Sequence, residues 1–266
     1  MKRKIVVGVW KDKLLPSESI QRMEELSRLY DGKDLCFDAC VAASPISLMA
    51  VKQVEGKYPG SPVKVIGQDV HWPNPKCSFT GSTSIPMLKE VGIDMCMIGH
   101  SERRRFFGES DEDIYKKLQA CIASDIYPIL AIGDDVIDYA ERKRILIEQI
   151  TGALCPKDGE RIDVSKMAIA YEPVWAISTW RSAQALPNGK DVDDVMNLVY
   201  DILTDHCHFD VSETPLLYGG SVAPANVEEY FTPEIVDGAL VGGASLKVDS
   251  LATIYDVAQK LWSKQK

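Results

Sequence analysis

No stretch of this 266-residue chain is apolar for long enough to cross a bilayer, which excludes a helical membrane protein. Met1 to Val7 carries two lysines and an arginine before a short apolar run, so it reads as a first strand and not as a signal peptide. Basic residues are outnumbered by acidic ones, 30 to 39, for a net charge of −9, and that excess argues against nucleic-acid binding. Seven cysteines occur without a CxxC pair, an irregular odd set that fits free thiols in a reducing compartment, the cytoplasm. Cys36, Cys40, Cys96 and Cys155 read as small core residues. The four histidines form no cluster with ligand spacing, so no metal site is expected. His206 and His208 read as a solvated helix end. Also missing is a glycine-rich GxGxxG after the first strand, where Gly8-Val9-Trp10-Lys11 stands instead; this speaks against a dinucleotide-binding open sheet.

What is there is alternation. Short β-rich apolar runs fall at Lys4–Val9, Leu35–Ala42, Val63–Gln68, Met95–Gly99, Ile126–Ile132, Met167–Tyr171, Pro215–Tyr218 and Gly238–Val241. Helical patterns lie between and after them, at Ser17–Tyr30, Ser47–Val54, Ile85–Val91, Asp113–Ser124, Tyr139–Ala153, Val192–Cys207, Ala225–Phe231 and Leu251–Lys264. In the sixth of these, Val195, Leu198, Val199 and Ile202 recur at three- and four-residue steps, as one buried helix face requires. Strands alternating with helices imply parallel pairing through right-handed crossovers. Eight such units predict an α/β fold, a single (β/α)8 barrel spanning residues 1–266, with a doubly wound open sheet as the alternative. No linker, low-complexity segment or short repeat divides the chain.

A barrel of this kind carries its chemistry at the C-terminal ends of its strands. Lys11 follows the first strand, and alone it would read as a surface charge. His100 follows the fourth, where the strand turns into a short helix whose N-terminus favours a neutral imidazole. Glu172 ends the sixth apolar run and precedes Pro173, which cannot continue the ladder; a carboxylate there is either paired or a base. Gly219-Gly220 follows the seventh strand and Gly242-Gly243 the eighth. Such glycine pairs let bare backbone N–H groups approach an anion. Each feature alone is weak. Their order, one at each of five strand ends, is much more specific.

On Trp10-Lys11, Ile98 to Arg104, Tyr171 to Ile177, Tyr218 to Val222 and Asp237 to Leu246, the chain resembles the triosephosphate isomerase family along essentially its whole length. The resemblance implies an isomerase of dihydroxyacetone phosphate and glyceraldehyde 3-phosphate that works through an enediolate, with no cofactor. That family is itself a known example of a carboxylate base set beside an imidazole kept neutral, and the roles that follow are carried over from it. It implies Glu172 as the base, neutral His100 as the polarising and shuttling group, Lys11 as the positive charge and Glu102 as the residue that positions Lys11. Ser178, Ser221, Gly242 and Gly243 would bind the substrate together with Lys11 and Val9, and residues from Pro173 to about Ala183 would form a water-excluding lid. Phe79-Thr80-Gly81 resembles the loop that this family inserts into a second subunit, which implies a homodimer through the loop around Thr80.

The chain departs from the family pattern at defined places. Val9 stands where an asparagine donor is usual, and loss of one preorganised donor typically costs on the order of 10²–10³ in kcat. Ile177-Ser178-Thr179-Trp180 replaces Ile-Gly-Thr-Gly. The stretch from Arg181 to Asp191 is longer than usual, with Pro187-Asn188-Gly189 reading as a turn. Thr80-Gly81-Ser82 replaces Thr-Gly-Glu, and Ala131 and Asp134 stand where Cys and Glu are usual. With Lys11, His100 and Glu172 retained, two alternatives stay open: an isomerase of a four-carbon ketose phosphate such as erythrulose phosphate, and a barrel that binds phosphate without turnover.

Overall fold

The computed structural model describes residues 2–73, 78–136, 138–176 and 186–265. Eight parallel strands pair in chain order and close, β8 back onto β1: β1 Ile5–Val9, β2 Asp38–Ala43, β3 Lys64–Gly67, β4 Met95–Ile98, β5 Tyr127–Asp134, β6 Ala168–Pro173, β7 Leu216–Tyr218 and β8 Gly238–Val241. The closed order removes the doubly wound alternative. Around the barrel run α1 Pro16–Tyr30, α2 Pro45–Lys57, α3 Ile85–Val91, α4 Ser101–Phe107, α5 Asp111–Ala123, α6 Tyr139–Leu154, α7 Gly189–Asp201, α8 Val227–Tyr230 and α9 Val248–Trp262.

Strand alternation sorts the apolar residues into two cores. One fills the barrel: Ile5, Val7, Val9, Cys40, Ala42, Ile66, Met95, Met97, Ile129, Ala168, Ala170, Leu217 and Leu240. The other, much larger, lies between sheet and helices. Ala42, Ala168 and Ala170 face the barrel interior, where converging side chains leave little room.

The seam between β8 and β1 needs two unusual residues. A Cβ on Gly238 would lie 1.7 Å from the carbonyl oxygen of its register partner Ile5, so only glycine lets the strands meet. Beside it, Asp237 is buried, with 3% exposure. Its Oδ1 pairs with Lys4 Nζ at 2.9 Å, and its Oδ2 accepts the Leu216 N–H at 3.1 Å. The Ile5 N–H donates to the Asp237 carbonyl at 3.0 Å, completing the join.

Some expected boundaries move. β2 starts at Asp38, where its N–H enters the ladder by donating to Lys4 O at 2.9 Å, so Leu35–Phe37 lie outside it. The helix expected over Val192–Cys207 begins earlier, at Gly189, and ends as a π-turn over Ile202–His206, with the Cys207 N–H donating to Ile202 O at 2.9 Å. The widened turn keeps both Ile202 and Leu203 buried. Pro187-Asn188-Gly189 is not a free turn but a helix start: Asn188 Oδ1 accepts from Asp191 N, and Asp191 Oδ2 from Asn188 N. Cys40 and Cys96 are core residues as expected, whereas Cys36 and Cys155 are half-buried, one ahead of β2 and the other capping α6. His206 and His208 are exposed.

Gly238→Ala must push the seam apart, and overpacking of this kind costs about 1–3 kcal/mol. In a chain of this size that lowers Tm by roughly 3–10 °C. Thermal denaturation checks it; a Tm within a degree of the parent would contradict the reading of the seam.

Candidate active site

The strand ends converge on one cavity of about 290 Å³, lined by Val9, Lys11, His100, Glu172, Leu186 and the glycine-containing turns after β7 and β8. Its size suits a small ligand. Of the residues singled out from sequence, Val9, Lys11, His100, Glu172, Ser221, Gly242 and Gly243 all line it. Glu102 stands behind Lys11. Ser178 and Trp180 lie outside the described residues, as does most of the expected lid.

Glu172 sits in β6, which places it opposite the turn that leaves β4. Its carboxylate is 2% exposed and both oxygens are engaged. Oε1 lies 2.9 Å from His100 Nε2, and Oε2 accepts the Ser101 N–H at 2.9 Å. Burial pushes the Glu172 pKa up, but the neighbouring His100, the Ser101 N–H and the Lys11 ammonium outweigh it, and the group is held below its ordinary value.

His100 is the residue before the first turn of α4. Its Nδ1 accepts the Glu102 N–H at 3.2 Å. An Nδ1 that accepts leaves the ring proton on Nε2, so the neutral imidazole presents an N–H to Glu172. On the other side of the cavity, Lys11 Nζ pairs with Glu102 Oε1 at 2.7 Å. Lys11 itself has a φ of 52°, a left-handed conformation that costs a residue with a Cβ roughly 1–2 kcal/mol. Strain of this sort persists only where surrounding contacts hold it.

The two glycine pairs do different things. A Cβ on Gly219 would lie 3.0 Å from Glu172 Cγ and 3.1 Å from Tyr171 O, so this glycine makes room for the carboxylate's stem. A Cβ on Gly242 would meet nothing within 4 Å; that backbone opens onto the cavity. Ser221 Oγ donates to the carbonyl of Ala176, which ties the turn after β7 to the segment that follows β6.

Sequence reasoning gave no role to three contributors. Ser101 acts through its backbone N–H and has no side-chain signature. Asp134, at the end of β5, is buried and accepts from Tyr171 Oη at 2.7 Å while Arg142 Nε approaches at 3.3 Å, so the base's neighbour in β6 is fixed from β5. Burial raises the Asp134 pKa, and Tyr171 and Arg142 partly offset this. Gln68 directly follows β3, a strand end that carried no motif; its position there was the available signal. No group of His, Cys, Asp and Glu among the described residues could hold a metal ion, and no helix among them is long and apolar enough to cross a membrane.

Comparison with known proteins fits this geometry. The family described as "Triosephosphate isomerase" matches residues 4–258. A triosephosphate isomerase of Thermoanaerobacter pseudethanolicus is 35% identical over 257 residues, 96% of this chain and 99% of that protein. One from Streptococcus gordonii is 37% identical over 260 residues, again covering 96% and 99%. The crystal structure of triosephosphate isomerase from Bartonella henselae superposes with a TM-score of 0.75 at 29% identity, covering 96% of this chain and 98% of that one.

A carboxylate whose pKa is lower folded than unfolded stabilises the fold above the ordinary carboxylate range, and that contribution is lost as pH falls through the folded value. Relative to Glu172→Gln, which does not titrate, the parent therefore loses Tm as pH is lowered from about 6 to about 3. Parallel Tm curves for the two proteins would show that Glu172 is not held as its contacts indicate.

Proposed function

The chain belongs to the triosephosphate isomerase family, and from that premise we propose that Glu172, His100 and Lys11 carry out the interconversion of dihydroxyacetone phosphate and glyceraldehyde 3-phosphate. The observation that carries this reading is the 2.9 Å pairing of a buried carboxylate with a neutral imidazole N–H, facing an open glycine backbone across a small cavity.

The isomerisation moves one proton between adjacent carbons and one between their oxygens. Glu172 removes the proton from the hydroxymethyl carbon next to the carbonyl, and the electron pair moves onto the carbonyl oxygen to give an enediolate. His100 Nε2–H donates to that oxygen and passes protons between the two oxygens. Glu172, now protonated, returns its proton to the neighbouring carbon. Lys11 supplies positive charge against the phosphate and the enediolate, with Glu102 fixing its ammonium. Gly242, Gly243 and Ser221 form the turn surface for the phosphate, and Ser178 is assigned to the same group. Val9 supplies an apolar wall in place of a donor.

The contacts of Glu172 set a condition on this chemistry. Held by Ser101 and His100, the carboxylate is a weak base, because both partners favour its charged form. Substrate that takes the Nε2–H of His100 removes one of them. Rotation away from the Ser101 N–H removes the other and leaves a buried carboxylate without that donor, where burial raises its basicity. The base is thus strengthened when the reacting carbon arrives.

The assembly assigned to this chain is a homodimer through the loop around Thr80. Thr80 and Gly81 are exposed at a turn, and Phe79 packs its ring 3.8 Å, centroid to centroid, from that of His71. Phe106 and Phe107, 58% and 71% exposed, line a second cavity that shares Val9, Lys11 and His100 with the first. A partner's loop covering that cavity would bury both rings. Cytoplasmic placement is assigned on the irregular cysteine set and on the free thiols among the described residues.

Turnover of either triose phosphate, followed beside Glu172→Gln, tests the reading. Loss of the general base is expected to lower kcat at least 10²–10⁴-fold, a typical order of magnitude for such a group. Equal traces from the two proteins would refute it. Sedimentation at micromolar concentration should give about twice the chain mass of 29.5 kDa, and a mass of one chain would remove the dimer.

A further inference from the structure

The described cysteines are not alike. Cys40, Cys96 and Cys121 are buried in the two cores, and burial pushes all three thiols up, Cys121 to about 12. They are inert packing. Cys155 and Cys207 instead stand together, where two neighbouring helices end. Cys155 caps α6, its N–H donating to Thr151 O at 3.0 Å. Cys207 closes the π-turn that follows α7, its N–H donating to Ile202 O at 2.9 Å. Helices of this barrel run back against the strands, so both C-terminal ends lie on the face away from the cavity. There the two thiols share a hydrogen bond, and the Thr151 hydroxyl is a further side-chain partner of Cys207.

The surrounding chain holds both cysteines in place. After Cys155 it turns back, and the Ile162 N–H donates to Leu154 O at 2.8 Å. Arg161, on that returning segment, donates to the Cys207 carbonyl at 2.5 Å and lies 4.2 Å over the Phe209 ring. The Phe209 N–H in turn donates to Leu203 O at 2.8 Å. The segment leaving one cysteine thus grips the backbone of the other. Two sulfurs in contact on separately anchored helix ends meet the geometric condition for a disulfide. Access is unequal: Cys207 is buried and Cys155 half-buried, so a small oxidant reaches Cys155 first. Burial pushes the Cys207 thiol up to about 11, which keeps it protonated until an electrophilic sulfur is beside it.

We infer that Cys155 and Cys207 are a peroxide-responsive pair whose disulfide staples the end of α6 to the end of α7. The Cys155 sulfur attacks one oxygen of hydrogen peroxide, the O–O bond breaks, and the sulfur becomes a sulfenic acid as water leaves with the thiol proton. The Cys207 sulfur then attacks that sulfur. The S–O bond breaks, and the hydroxyl leaves with the Cys207 proton as a second water. Two thiols are oxidised by two electrons, and one peroxide is reduced to two waters. In a reducing compartment thiol exchange restores the pair. The bridge would close residues 156–206, which carry β6 and Glu172, into a loop. Its effect is on stability, because a cross-link restricts the unfolded chain.

The test treats the native protein with a small molar excess of hydrogen peroxide and maps its unreduced peptides by mass spectrometry. A peptide pair joined through Cys155 and Cys207 is expected, together with a Tm raised by roughly 4–16 °C, both reversed by dithiothreitol. Cys155→Ser should remove the Tm gain. Cys207→Ser should leave a sulfenic acid on Cys155 that dimedone traps and that the parent does not accumulate. The digest of the parent decides the matter if a serine variant does not fold. Two cysteines that only pack side by side would give no joined pair, or would give it only after the chain is unfolded before oxidation. Either result overturns the inference, as does a joined pair with an unchanged Tm, which would leave no staple.

Discussion

Parallel strands have two edges to satisfy, and in this chain both are satisfied by closure. The join at β8 and β1 depends on Gly238, which alone permits contact with Ile5 O, and on Asp237, whose buried carboxylate draws together Lys4 and the start of β7. Everything at the mouth of the barrel follows from that seam. Once the ring is closed, the ends of β1, β4, β6, β7 and β8 border one cavity. Residues separated by more than seventy positions, such as Ser101 and Glu172, then come within hydrogen-bonding distance. An open sheet of the same strands would place β1 and β8 at opposite edges and take apart the wall that holds Lys11, Gly242 and Gly243.

Within that frame, charge is arranged in pairs that leave one group adjustable. Lys11 is paired with Glu102, which fixes its ammonium at the cavity wall. Glu172 is different. Its partners, His100 and the Ser101 N–H, belong to the short segment after β4, and each holds one oxygen with a single contact. Burial without those contacts would leave an unpaired anion at high cost; with them the anion is stable but weakly basic. A group of that kind can be made reactive by taking one contact away, which is what a carbonyl oxygen competing for His100 does. The seam and Asp134 fix the walls, and the balance at Glu172 is left to the ligand.

The fold was legible because its signal is repetitive. Eight apolar runs alternating with helical patterns survive errors of two or three residues at any one boundary, and the extension of α7 to Gly189 or the late start of β2 at Asp38 changed nothing in the topology. Lys11, His100 and Glu172 were legible because each lies within two residues of the end of a strand run and each has a chemically distinctive side chain. Ser101 was not, because its contribution is a backbone N–H whose direction depends on the turn made by Gly99 and His100. Gln68 was overlooked for another reason. It sits at a strand end like the others, but its amide serves a neighbouring backbone, and such a bond exists only once β3 stands beside β2. The glycine turns were half legible. Sequence put an anion cup at both, whereas the space around Gly219 is set by the Glu172 stem and only Gly242 opens freely to the cavity.

Val9 brings these points together. A valine at the end of β1 belongs to the barrel's inner core with Leu240 and Met97, and so it extends the apolar filling of the barrel up to the floor of the site. That change removes a polar group from a place where backbone strain is concentrated, since Lys11 lies two residues on. Such strain needs support from somewhere, and an apolar residue can give only packing. The two donors of Gln68 add polar support, bound to the Lys11 and Ala42 carbonyls, and Ser245 Oγ reaches Val9 O. Packing below and a bidentate amide from the side together restrict the turn from two directions, and a lysine can then keep a glycine-like conformation while its ammonium stays aimed into the cavity.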